Sequence, residues 1–151
     1  MKIIQANKFH TPIIIEMLKS YREVTPIEFF KYCDDEEYII QLLSHIFAGR
    51  GVALIAYREE TPVGMLLGFI DQSIWEPKLC VLKELAYWVY PEYRGTSAGY
   101  RLLSKYNEVA QSFSDMGRIK TWTISKMVNS PDLDYSKLGY RKIEETWSMG
   151  V

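Results

Sequence analysis

The chain has 151 residues, 48% hydrophobic and 25% charged, with 18 basic and 19 acidic side chains for a formal charge of -1. That composition fits one globular domain, here residues 1–151, large enough to bury a core without disulfides or a structural metal. The charge balance argues against a nucleic-acid binder that works by bulk electrostatics and leaves only a local basic group, Lys120, Lys126, Lys137 and Arg141, for that role.

Residues 2–6 read as a short strand, and the N-terminus turns polar too soon for a secretory apolar region, which predicts a cytoplasmic protein. Thr11-Pro12 supplies a cap and a proline at the first helical position, followed by Ile13, Ile14, Met17, Leu18 and Tyr21 at helical spacing. A second helix starts at Asp34-Asp35-Glu36-Glu37, where the dipole favours negative charge. Ile39, Leu42, Leu43, Ile46 and Phe47 form its apolar face, and Gly49 and Gly51 end it. Residues 52–57 and 63–70 read as strands joined by Glu59-Glu60-Thr61-Pro62. The second of these is also the longest apolar stretch, far shorter than a membrane span.

A third strand covers about residues 79–90 and ends at Pro91. The helix over 97–114 buries Leu102, Leu103, Tyr106, Val109, Ala110 and Phe113. A strand at 119–125, a short helix from Asp132 to Leu138 and a last strand over 140–149 follow. This order predicts an α/β domain of the α+β kind, with a mixed sheet. Cys33 and Cys80 are the only cysteines and His10 and His45 the only histidines; none has metal-ligand spacing. The cysteines read as two buried free thiols of a reducing compartment.

The informative stretch begins at Glu84 and runs through Tyr87, Trp88, Val89 and Pro91 into Arg94, Gly95, Thr96, Ser97, Ala98 and Gly99 before the helix. A loop of small residues leading straight into a helix can aim several backbone N–H groups at one point, and the helix dipole adds positive charge there. A phosphate or pyrophosphate is the natural guest. It is neither a Walker A loop nor a dinucleotide fingerprint, and the competing reading is an ordinary strand–helix connection.

Val89-Tyr-Pro-Glu-Tyr-Arg94-Gly95-x-x-x-Gly99 followed by Leu102-Leu103 resembles the acyl-CoA loop of the GNAT superfamily of N-acetyltransferases. Asn129 and then Tyr135-Ser-Lys-Leu-Gly139-Tyr140 resemble a second motif of that family at the right distance downstream. The chain departs from the pattern at the loop's middle glycine, which is Ser97 and would cap the helix or offer a hydroxyl to a phosphate.

The resemblance implies an acyl-CoA N-acyltransferase fold, a central mixed and mostly antiparallel sheet flanked by helices. It also implies an acetyl-CoA-dependent transfer to a primary amine, on a small molecule or a protein. Arg94 to Gly99 would grip the pyrophosphate of acetyl-CoA. Trp88 and Val89 would meet its pantetheine arm at the strand's end, with Asn129 nearby, and the N–H of Val89 would polarise the thioester carbonyl. Tyr135 would protonate the departing thiolate, and Glu84 is the candidate base. Against that role, strand alternation places Glu84 and Val89 on opposite faces unless a bulge intervenes, and Glu84 has Lys83, Lys105 and Arg101 as competing partners.

Trp75, Trp88, Trp122, Tyr87 and Tyr32 are candidates for an acceptor pocket, with Trp88 or Tyr87, whichever faces the helices, expected in the core. The Cys and His inventory predicts no metal and the short apolar runs no membrane span, and a homodimer stays open. The alternative function is a catalytically degenerate module with the same fold that acts through a protein partner, and Ser97 is the feature that points to it.

Overall fold

A computed structural model describes residues 1–131 and 133–150. The strands are β1 (Lys2–Gln5), β2 (Gly51–Arg58), β3 (Thr61–Gln72), β4 (Cys80–Val89) and β5 (Thr121–Thr123), and the helices are α1 (Thr11–Arg22), α2 (Glu36–His45) and α3 (Ala98–Asp115). The strands form one sheet in the order β1-β2-β3-β4-β5. Each neighbouring pair from β1 to β4 is antiparallel, and β4 with β5 is parallel.

Side-chain alternation gives the sheet two apolar faces, each covered by helix. Leu54, Leu66 and Leu82 meet Leu102, Leu103 and Tyr106 of α3 on one face. Ile55, Met65, Leu67 and Trp88 meet Ile14 and Met17 of α1 and Leu43 of α2 on the other. Each fully buried aliphatic side chain contributes roughly 1.5–3 kcal/mol, so the two layers together fix the sheet's register. The strands β2 and β3 turn at Glu59 and Glu60, with Arg58 opposite Thr61. The hairpin loop is therefore shorter than the sequence suggests, and Pro62 lies inside β3.

Several expectations need correction. Thr11 is not a cap: Asn7 caps a 3-10 turn over Lys8–His10 in a reciprocal arrangement with His10, and α1 continues directly from it. The capping function passed to the polar pair that precedes the helix because the chain was already turning there. The strand expected at 119–125 is limited to Thr121–Thr123. The strand expected over 140–149 does not form among the described residues. Its alternating side chains include the exposed Ile143, Trp147 and Met149. A strand exists only by pairing, and a broad groove separates this segment from β5. The cysteines are not buried: Cys33 is exposed on the loop before α2 and Cys80 is half-buried at the start of β4. The short helix is a 3-10 turn over Tyr135–Leu138; its expected start at Asp132, like the terminal Val151, lies outside the described residues.

Candidate active site

The sheet opens where β4 leaves β5. The two strands pair at Val81, Lys83 and the residue between, against Thr121–Thr123, and from Glu84 onward β4 has no described neighbour on that edge. At the fork the hydroxyl of Tyr106 reaches the carbonyls of both strands, Leu82 at 3.3 Å and Thr123 at 3.0 Å. Tyr90 donates to Val63 O on the β3 side at 3.0 Å. Antiparallel alternation then turns the N–H and C=O of Val89 and of Tyr87 the other way, into the opening. The carbonyl of Val89 is met there by Arg94 Nε at 3.1 Å.

Glu84 reaches the same face as Tyr87 and Val89 because β4 carries the required bulge. Leu67 pairs with Ala86 and Gly68 with Glu84, so Leu85 is an extra residue. Leu66 and Gly68, on one face of β3, thus stand opposite Tyr87 and Glu84. Glu84 does not pair with the basic residues named as its competitors. Lys83 binds Asp71 at 3.2 Å, Lys105 binds Glu108 at 2.6 Å, and Arg101 donates to Met1 O at 2.8 Å. Its carboxylate instead accepts the backbone N–H of Ser125 at 3.2 Å, across the fork. Burial pushes its pKa up to about 7, and the Ser125 N–H pulls the other way.

Tyr135 opens the 3-10 turn that Asp134 caps by accepting Ser136 N at 3.1 Å. It lines a cavity of 30 Å³ together with Glu84, Tyr21, Tyr87, Ser125, Met127 and Ser130. That is room for about one water among several polar partners. Burial first, then the charge of Glu84, pushes the Tyr135 hydroxyl up to about 12. The cavity opens onto the broad groove through Tyr21, Ser125, Met127 and Tyr135, which line both.

The loop before α3 presents donors without acceptors. After a 3-10 turn at Pro91–Tyr93, Gly95 adopts φ +82°, the left-handed region that favours glycine. Thr96 folds its hydroxyl back to Tyr93 O at 2.6 Å and receives the N–H of Ala98 at 3.3 Å. Among the described residues nothing accepts from the N–H groups of Gly95, Ser97, Gly99 or Tyr100. Four donors at the start of an 18-residue helix suit an anion. Ser97 precedes α3 at φ -76°, but its side chain makes no capping bond; the Thr96 hydroxyl does the work expected of it. The Tyr87 hydroxyl donates to Gly99 O at 2.5 Å, and a Cβ on Gly99 would meet the Tyr87 hydroxyl oxygen at 3.1 Å, so the small residue lets strand and helix close together.

Other expected site residues are placed differently. Trp88 is 5% exposed, packed edge-on against Tyr21 and Tyr90, with the Arg94 guanidinium 4.8 Å over its ring. Its side chain is core and its backbone groups turn toward β3, so it meets the site only by packing beneath Tyr21 and Arg94. Asn129 donates to Val24 O at 2.6 Å, fastening its loop to the end of α1. Trp75 and Tyr32 are exposed and line neither cavity nor groove, whereas Trp122 lines the groove and donates to Asn107 at 3.0 Å. The acidic start of α2, residues 34–37, serves the helix end as expected, with Asp35 as its cap, and lines neither cavity nor groove. Tyr21, Ser125, Met127 and Ser130 were not anticipated. Tyr21 carried only a helix-face signal, Ser125 only closed an expected strand, and Met127 and Ser130 sit where no local pattern exists.

The sequence profile described as Acetyltransferase (GNAT) family matches residues 14–140. No curated protein sequence matches. Solved structures share the fold at low identity. An acetyltransferase of Trypanosoma brucei superposes with a TM-score of 0.70 at 16% identity, covering 99% of each chain. An aminoglycoside acetyltransferase from an uncultured soil metagenomic sample gives 0.70 at 16%, covering 99% of this chain and 97% of that one. A ribosomal-protein-alanine N-acetyltransferase of Brucella melitensis gives 0.63 at 14%, covering 99% of each.

Proposed function

The chain belongs to the GNAT acetyltransferase family, and on that premise we propose that it moves an acetyl group from acetyl-CoA to a primary amine, by direct attack within a ternary complex. The observation that carries this reading is one cavity at the fork that brings Glu84 and Tyr135 together, beside a loop of unsatisfied N–H donors.

In this reading the N–H groups of Gly95, Ser97, Gly99 and Tyr100 hold the pyrophosphate, and Arg94 adds positive charge. The open edge of β4 takes the pantetheine arm as an added strand, and the outward N–H of Val89 stabilises the oxyanion that forms on the thioester carbonyl. The incoming nitrogen must lose a proton, which passes to Glu84 through the water its cavity has room for. A carboxyl with a pKa of about 7 suits a base working near neutrality. The N–C bond forms, the C–S bond breaks, and the sulfur takes its proton from Tyr135.

Base and acid are coupled. The charge of Glu84 helps to raise the Tyr135 pKa, so protonating Glu84 removes that influence just as the phenol must give up its own proton. A neutral Glu84 thus makes Tyr135 the better acid at the moment of thiolate departure.

Two measurements test the reading. Titration calorimetry with acetyl-CoA should give a binding heat, and thiol release in the presence of an amine panel should show turnover. Tyr135→Phe should lower kcat by about tenfold or more with the binding heat kept. A chain that binds no acetyl-CoA is not this enzyme, and one that binds it without thiol release for any amine fits the non-catalytic module instead.

A further inference from the structure

The wall beyond Glu84 narrows the acceptor, given the transferase reading above. We infer that the acceptor is a monoamine carried on an apolar body, aromatic or branched aliphatic, and not a polycation.

Two features of the groove support this. The first is the apolar surface beside the small cavity. Ile27 and Phe30, from the segment between α1 and α2, line the groove together with Leu85, Met127 and Val128. Phe30 is 44% exposed and Leu85 42%, large apolar side chains held open to solvent. Phe30 is steadied by Phe29 at a centroid distance of 4.6 Å. Leu85 owes its place to the bulge, so the same extra residue that brings Glu84 to the site also supplies apolar wall next to it.

The second feature is charge. The acidic residues 34–37 are not part of the groove's lining, and Glu36 is taken up by Lys19 at 2.7 Å. The carboxylates that do line it are Glu108, Asp134, Glu144 and Glu145. Lys105 holds the first, Lys142 the last, and Lys126 and Arg141 share the lining, so the groove has no excess of negative charge to offer a second ammonium. Glu84 is the carboxylate of the small cavity, and one carboxylate serves one amine. A second ammonium group would be desolvated against Ile27, Phe30 and Leu85 without a partner, which is costly. An apolar group in the same place leaves water with a gain.

The test uses the full chain and thiol release from acetyl-CoA, with phenethylamine and isopentylamine set against spermidine and kanamycin. The expected result is a kcat/KM for the apolar amines at least about tenfold above that for either polycation. Phe30→Ala and Leu85→Ala, at exposed positions that folding tolerates, should each lower kcat/KM for phenethylamine by about tenfold and leave the acetyl-CoA binding heat unchanged. Phenethylamine alone should raise the Tm of the wild type and not that of Phe30→Ala. Equal or faster turnover of spermidine or kanamycin overturns the inference while leaving the transferase reading intact. So do alanine variants that slow no amine selectively. Acetyl-CoA binding with no turnover of any amine refutes the transferase reading itself, and the inference with it.

Discussion

Replacing Glu84 by glutamine removes a single titrating group while keeping its shape and an oxygen that can accept the Ser125 N–H. In the wild type the folded chain holds the carboxyl proton to about 7, against an ordinary value of 4.5. Between those values the folded state binds more protons than the unfolded one, so stability falls as pH rises. It is undiminished below about 4.5 and reaches its floor above about 7. The loss across that window is about 3 kcal/mol. For a chain of this length that is about 6–12 °C in Tm. Other groups titrate over the same range, so the informative quantity is the difference between wild type and Glu84→Gln. Urea unfolding at pH 4.5, 6 and 8 should show the two alike at the lowest pH. The variant should be the more stable by about 3 kcal/mol at the highest. The kcat/KM of the wild type should rise through a pKa of about 7, and the variant should lack that limb. A stability difference that is flat with pH, or that grows toward acid, would refute the argument that burial governs this carboxyl.

Gly95→Ala places a Cβ at φ +82° in open space, so the cost is backbone strain alone, roughly 1–2 kcal/mol by chemical unfolding; acetyl-CoA affinity should fall as the loop relaxes. Ser97→Gly tests the departure from the family pattern. Because Ser97 sits at φ -76° with no capping bond, glycine's extra freedom goes unused there. Calorimetry should give an acetyl-CoA affinity within about twofold of wild type, with a stability loss of about 0.5–1 kcal/mol. Tyr106→Phe leaves the Leu82 and Thr123 carbonyls without their shared donor, and equilibrium unfolding should register a loss of about 1–3 kcal/mol.

Much of this architecture can be read from periodicity, because burial on two faces of one sheet imposes it. Leu102, Leu103 and Tyr106 announced α3, and Ile39, Leu42 and Leu43 announced α2. What could not be read depends on partners. Whether Leu85 is in register or extra is decided by counting against β3, and no property of residues 80–89 alone reveals it. The segment 140–149 alternates as a strand would, but alternation reports sidedness and says nothing of a neighbour. Asn129 matched a motif, yet its side chain is taken by Val24 O, from a residue more than a hundred positions earlier. Thr96 and Ser97 offered equivalent hydroxyls in sequence, and the turn at Gly95 gave the capping role to Thr96.

The fork between β4 and β5 is propped from both ends. Tyr106 braces its base, and the contact of Tyr87 with Gly99 holds the upper part of β4 against α3. A ligand entering the opening has no sheet hydrogen bonds to break and no core to rearrange. Its arrival should then be fast, and its heat-capacity change should match the apolar area of the ligand itself, with no added signature of a folding step. Tight binding in such a slot is decided chiefly by how slowly the guest leaves.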